Sequence, residues 1–247
     1  MSTVRVRMGA EAARFRYVAR YRFSLYPALY LPWARRHYAG TGIEVVGPDT
    51  ELVIEGFGRS GSTFAVDAFE LAQTRPVRIA HHTHAAAQVV AAARRGIPSL
   101  VIVRHPDDAT VSHMARRGIP AVTALRSWIR YHERVAPWRD RLLLVSFEEV
   151  TSDFGAVTRR LNERFGTGYG VFEHTKENEA RVFEIIETRN RERFRTEQPE
   201  RARSLARPTR EREALKASFR SELEAARLRS LHARAAELYR SLVSTSG

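Results

Sequence analysis

Residues 51–64 read Glu-Leu-Val-Ile-Glu-Gly-Phe-Gly-Arg-Ser-Gly-Ser-Thr-Phe, and no other stretch narrows the fold as much. Leu52, Val53 and Ile54 form a short apolar run expected to be a buried strand. Gly56, Gly58 and Gly61 loosen the backbone after it, and Ser62 and Thr63 open a stretch with helical spacing through Phe64, Ala68 and Leu71. A strand, a glycine-rich turn and a helix in that order aim backbone N–H groups and a helix N-terminus at an anion. The spacing from Gly56 to Gly61 matches a Walker A loop, but Ser62 stands where that loop carries lysine. Without the lysine there is no cation for β- and γ-phosphates, which argues against an ordinary ATPase or kinase. The nearest cation is Arg59, inside the loop.

A second anion site follows a later strand. Ser99–Val103 is the cleanest buried strand in the chain, and it runs into Arg104-His105-Pro106-Asp107-Asp108-Ala109-Thr110-Val111-Ser112. An arginine at the end of a strand offers a rigid fork of donors to a phosphate. Pro106 sets the turn, Asp107 or Asp108 is expected to cap the next helix, and Ser112 lies just over one helical turn beyond Asp108. Between the two sites, Val77-Arg78-Ile79-Ala80 alternates like a strand and leads into His81-His82-Thr83-His84, with a helix over 85–95 stopped by Gly96 and Pro98. Two histidines without a third ligand or a cysteine do not complete a zinc site, so no metal is expected.

Arg59-Ser60-Gly61-Ser62-Thr63-Phe64 resembles the 5′-phosphosulfate loop of the sulfotransferases that use 3′-phosphoadenosine-5′-phosphosulfate (PAPS), which usually reads Lys-Ser-Gly-Thr-Thr-Trp. Arg104, Pro106, Asp108 and Ser112 match that family's 3′-phosphate element, Arg-Asn-Pro-Lys-Asp-x-x-x-Ser. Phe147-Glu148-Glu149-Val150 is similar to its Tyr-Glu-Asp-Leu signature. The resemblance covers roughly residues 51–166 and is of bacterial type. It implies that Arg59, Ser60, Gly61, Ser62 and Thr63 bind the phosphosulfate, that Phe64 stacks on adenine, and that Arg104 and Ser112 hold the 3′-phosphate. His82-Thr83-His84 stands where the family has Lys-Thr-His, so His84 inherits the role of general base toward an acceptor hydroxyl, and Arg59 stabilises charge on the leaving phosphate. Arginine cannot readily give up a proton as lysine can. The family's basic lid, with Lys-Gly and Gly-Asp-Trp-Lys, is absent, and Arg207 or Arg210 would have to stand in.

The expected fold is α/β: a three-layer P-loop-like domain over 51–247, with a short parallel sheet from strands near 51–56, 77–81, 99–103 and 142–146. Helices over 122–138, 153–165 and 173–195 flank it, and further helices end the chain. Residues 1–50 form a basic, aromatic segment packed on or near that domain. Its best apolar run, Phe23–Trp33, is interrupted by Ser24, Pro27 and Pro32, too short for a signal peptide or a span. The chain has 41 Lys and Arg against 28 Asp and Glu, a net charge of +13, which favours polyanionic partners. It has no cysteine, which excludes disulfides and suits a reducing cytoplasm. The expectation is a cytoplasmic sulfotransferase moving a sulfonate from PAPS to a hydroxyl on a carbohydrate, lipid or small molecule, with PAP as product. Peripheral contact at the inner membrane surface is a further expectation. The rival readings are a P-loop kinase-like protein and a basic nucleic-acid- or membrane-surface-binding protein with an inactive P-loop domain.

Overall fold

A computed structural model describes residues 15–193 and 210–244. Four strands, β1 (Leu52–Gly56), β2 (Ile79–His81), β3 (Ser99–Val103) and β4 (Leu143–Ser146), form one parallel sheet in the order β2-β1-β3-β4. Nearly every strand residue is buried, so the strands read as continuous apolar runs, as both-sided burial demands. The alternation survives in the packing. Leu52, Ile54, Leu100, Ile102, Leu143 and Val145 face one cluster, with α3 (Ser62–Ala72), α8 (Phe154–Phe165) and α9 (Lys176–Arg193). Val53, Val101, Val103 and Leu144 face the other side. There they meet α4 (Ala86–Arg95), α5 (Pro106–Arg117), α6 (Ala121–Val135) and the C-terminal pair α10 (Arg210–Leu223) and α11 (Arg229–Val243). The molecule is therefore a three-layer α/β sandwich around a parallel sheet.

Residues 15–23 form a helix, α1, and Pro27–His37 form α2. Tyr30, Leu31 and Ala34 of α2 share a cluster with Val53, Ala80 and Ala87. Tyr21 donates its hydroxyl to the Ser127 carbonyl of α6. α7 (Phe147–Ser152) begins with a capping box, Ser146 accepting from Glu149 N and the Glu149 carboxylate accepting from Ser146 N. Gly96 and Gly166 close α4 and α8 in the left-handed conformation.

The sequence expectation is displaced in four places, one of them the helix expected from 173, which begins at Lys176. β2 begins at Ile79 rather than Val77, because the Arg78 backbone N–H donates to the Glu51 carboxylate and its side chain reaches the Asp49 carbonyl, which ties it to the loop before β1. The helix expected to reach Trp138 ends at Val135 and tightens into a 3₁₀ turn over Ala136–Arg141, since Pro137 has no N–H to continue the ladder. Neither aspartate caps α5. Pro106 occupies the first turn after His105, and Asp107 and Asp108 lie inside that turn, where the positive end of the helix favours them. They also tie α5 to the C-terminal pair, Asp107 to His232 at 3.2 Å and Asp108 to Arg220 at 3.7 Å.

Candidate functional site

The sheet order decides where a ligand can bind. The chain leaves β1 toward β2 on one side, while β3 lies on the other, so the connections diverge between the ends of β1 and β3. In open α/β sheets the crevice outside the carboxyl ends of the strands at such a switch is the ligand site. Here β1 runs into the loop at Phe57–Gly61 and β3 into Arg104.

The loop is a tight turn, Ser60 N donating to Phe57 O at 3.1 Å, and Ser62 begins α3 directly after it. Gly61 is left-handed, with φ of 89°, and a Cβ there would lie 2.9 Å from the Phe147 ring. Gly56 serves differently. Its φ is not positive, but a Cβ would come within 2.7 Å of the Ile102 carbonyl, so glycine there lets β1 and β3 approach. Arg59 is left-handed too, with φ of 77°, which costs on the order of 1 kcal/mol for a residue with a side chain. Contacts from β3 and α5 hold it. Arg104 Nη1 donates to the Arg59 carbonyl at 3.0 Å, and Arg59 Nε donates to Ser112 Oγ at 3.1 Å. The Arg104 guanidinium lies 4.1 Å over the Phe147 ring, and its own carbonyl accepts from the Trp128 indole at 3.2 Å. Ser112 and Ser60 are buried, and Ser60 Oγ has no hydrogen-bond partner among the described residues.

β2 delivers the histidines to the same edge. His82 Nε2 is 3.2 Å from Thr63 Oγ1, at the start of α3. His82 and His84 both have positive φ, 62° and 50°. His84 Nδ1 lies 3.1 Å from the Gly56 carbonyl, an acceptor only, so Nδ1 carries the proton and Nε2 the lone pair. Lost hydration drives its pKa down to about 4. A third of the side chain still meets solvent, which weakens that depression, but the ring is neutral at neutral pH on either account.

Arg59, Ser60, Gly61, Ser62, Thr63, Arg104 and Ser112 thus lie together, with His84 across from them on the turn that follows β2. Phe64 departs from its expected place. Its ring is 7% exposed and sits among Phe154, Phe172, His174 and Phe183, because α3 turns that position into the core beside α8 and α9. The half-buried aromatic at the crevice is Phe147, which the sequence marks only as a helix start. Two further neighbours carry no sequence signal. His113 is buried against Gly58, its Nε2 2.8 Å from the Tyr17 hydroxyl of α1, and burial holds its pKa well below the usual histidine value. Glu55 is the other, buried beneath the His82–His84 turn. Arg207 lies outside the described residues, and Arg210 opens α10. Among the described residues no group of three metal-binding side chains occurs, and no helix is long and apolar enough to cross a membrane.

No family model matches the chain, and no curated protein does. Among solved structures it is similar to mouse sulfotransferase SULT7A1 complexed with PAP, at 14% identity over 78% of this chain and 91% of that one, with a TM-score of 0.41.

Proposed function

We propose that this protein is a sulfotransferase that moves a sulfonate group from PAPS to an acceptor hydroxyl. The observation that carries the reading is the pair of contacts joining the loop to the second anion element, Arg104 to the Arg59 carbonyl and Arg59 to Ser112. Two sets of anion-binding groups then share one crevice, as a donor with a 3′-phosphate and a 5′-phosphosulfate requires. The amides opening α3, the Ser60, Ser62 and Thr63 hydroxyls and the Arg59 guanidinium would hold the phosphosulfate. Arg104 and Ser112 would hold the 3′-phosphate.

In the transfer, His84 Nε2 takes the proton of the acceptor hydroxyl as its oxygen attacks sulfur. The bond from sulfur to the bridging oxygen breaks, and the electron pair leaves with PAP. Arg59 and the helix amides stabilise the charge that develops on the departing phosphate. Arg59 donates no proton to it, so the leaving group departs as the anion or takes a proton from His82, which reaches the site through Thr63. Phe64 has no part in this scheme. PAP, with phosphates at both positions, is the probe for the donor site.

The test is thermal stabilisation by PAP. PAP is expected to raise the Tm of the wild type, with Arg104→Ala and Ser112→Ala each weakening its binding by roughly tenfold to a hundredfold, the loss of one or two charge-assisted hydrogen bonds. Stronger stabilisation by ATP–magnesium than by PAP, unaffected by either substitution, would replace this reading with a kinase-like one.

A further inference from the structure

Glu55 is the one acidic side chain in β1, the strand that feeds the loop, and it is fully buried. A carboxylate is the costliest group to bury there, and an apolar residue would complete the strand equally well. Its surroundings explain why a carboxylate is kept. Oε1 accepts from Thr83 N at 2.8 Å, Thr83 Oγ1 at 2.7 Å and Gln88 Nε2 at 2.9 Å. His84 N lies 3.2 Å from both carboxylate oxygens, and Oε2 is 3.3 Å from Gly56 N. All these partners are donors. An ionised carboxylate accepts at both oxygens and carries no proton of its own, so the cage fits that form and no amide or hydroxyl. Burial pulls the other way, raising the carboxyl to about 7.

We propose that Glu55 is a positioning residue that holds the left-handed turn carrying His84 and so keeps His84 Nδ1 against the Gly56 carbonyl, the contact that sets which ring nitrogen is protonated. Oε2 lies 3.7 Å from His84 Nδ1, on the edge of the ring that also meets the Gly56 carbonyl. Two acceptors on that edge keep the proton at Nδ1 and leave Nε2 as the ring's acceptor. The same carboxylate stabilises the imidazolium formed when Nε2 gains a proton. The turn itself is unfavourable for two non-glycine residues, and the bonds from Thr83 N, Thr83 Oγ1 and His84 N are what hold it in place.

The inference rests on the reading of His84 as the base, and two readouts separate the two. The first is the ¹⁵N spectrum of the His84 ring, assigned against His84→Gln, in the PAP complex. The second is the slow release of PAP from PAPS with water in the acceptor's place, where water gives its proton to Nε2 and sulfate is the second product. Glu55→Gln, which turns an amide toward donors, and the milder Thr83→Val are both expected to mix the two tautomers. Both should lower PAP release by about tenfold or more while leaving PAP affinity within about threefold. A variant that binds PAP with the tautomer unchanged overturns the proposal, as does a mixed tautomer with unchanged PAP release. If Glu55→Gln does not fold, Thr83→Val decides on the same two measurements. Full PAP release by His84→Gln would remove the general-base reading alone, and the tautomer would still report whether Glu55 sets the ring.

Discussion

At the scale of single residues, burial and hydrogen bonding compete most openly at Glu55. Burial raises its carboxyl from the ordinary glutamate value of 4.5 to about 7, so the folded state keeps this proton to higher pH than the unfolded chain does. At this one group the folded state binds more protons between those values, so the contribution of Glu55 to stability falls as pH rises through them. Because His81, His84 and His132, each lowered by lost hydration, act with the opposite sign in the same window, the Glu55 contribution is read as a difference: the stability gap between wild type and Glu55→Gln in urea unfolding is expected to change by about 3 kcal/mol from pH 4.5 to 7, against the wild type as pH rises. Nothing in the local pattern announces this residue, because a glutamate in Val-Ile-Glu-Gly reads as the edge of a strand until Thr83 and Gln88 are folded against it. The types and spacings of Arg59, Arg104 and Ser112 point to anion chemistry within the sequence, and the fold brings the three into contact, whereas the role proposed for His84 comes from resemblance. Phe64 owes its expected adenine-stacking role to resemblance alone. Its place next to Thr63 suggests the crevice, but α3 rotates it toward α8 and α9, and only packing reveals that.

At the scale of elements, the glycine-rich turn does two separate jobs. Gly61 supplies a left-handed residue at the mouth of α3, and Gly56 supplies a close approach between strands. Gly61→Ala forces a side chain into φ of 89° and against Phe147, which itself supports the Arg104 guanidinium. The substitution is expected to cost about 2 kcal/mol in urea unfolding, and to weaken PAP binding by more than about tenfold in calorimetry because the loop amides turn away. Helices and strands followed from periodicity, caps and prolines almost throughout. The exceptions lie where a long-range partner intervenes. Arg78 is captured by Glu51 and Asp49, which shortens β2, and the aspartates of α5 pair with His232 and Arg220 instead of capping their own helix.

At the scale of the whole molecule, the segment before β1 helps build the core. Tyr21 and Leu25 belong to the cluster around Trp128, and Tyr30, Leu31, Tyr38 and Val46 to the one that includes Val53 and Ala80. Removing six such side chains forfeits on the order of 10 kcal/mol of burial, comparable with the whole stability of a domain. A chain starting at residue 51 is expected to show no cooperative thermal transition by circular dichroism. The opposite face depends on α9, where Arg189 pairs with the buried Asp67 and with Glu70 of α3.

The sequence by itself determined the α/β class, the four strands and the two elements proposed to bind anions, because apolar runs, glycine turns and an arginine at a strand end are local signals. Tertiary structure alone decided that β1 and β3 are neighbours, which puts Arg104 against Arg59, and that Glu55 lies under His84. Strand order and the contents of a buried cage depend on contacts between distant residues, and no spacing along the chain encodes those distances.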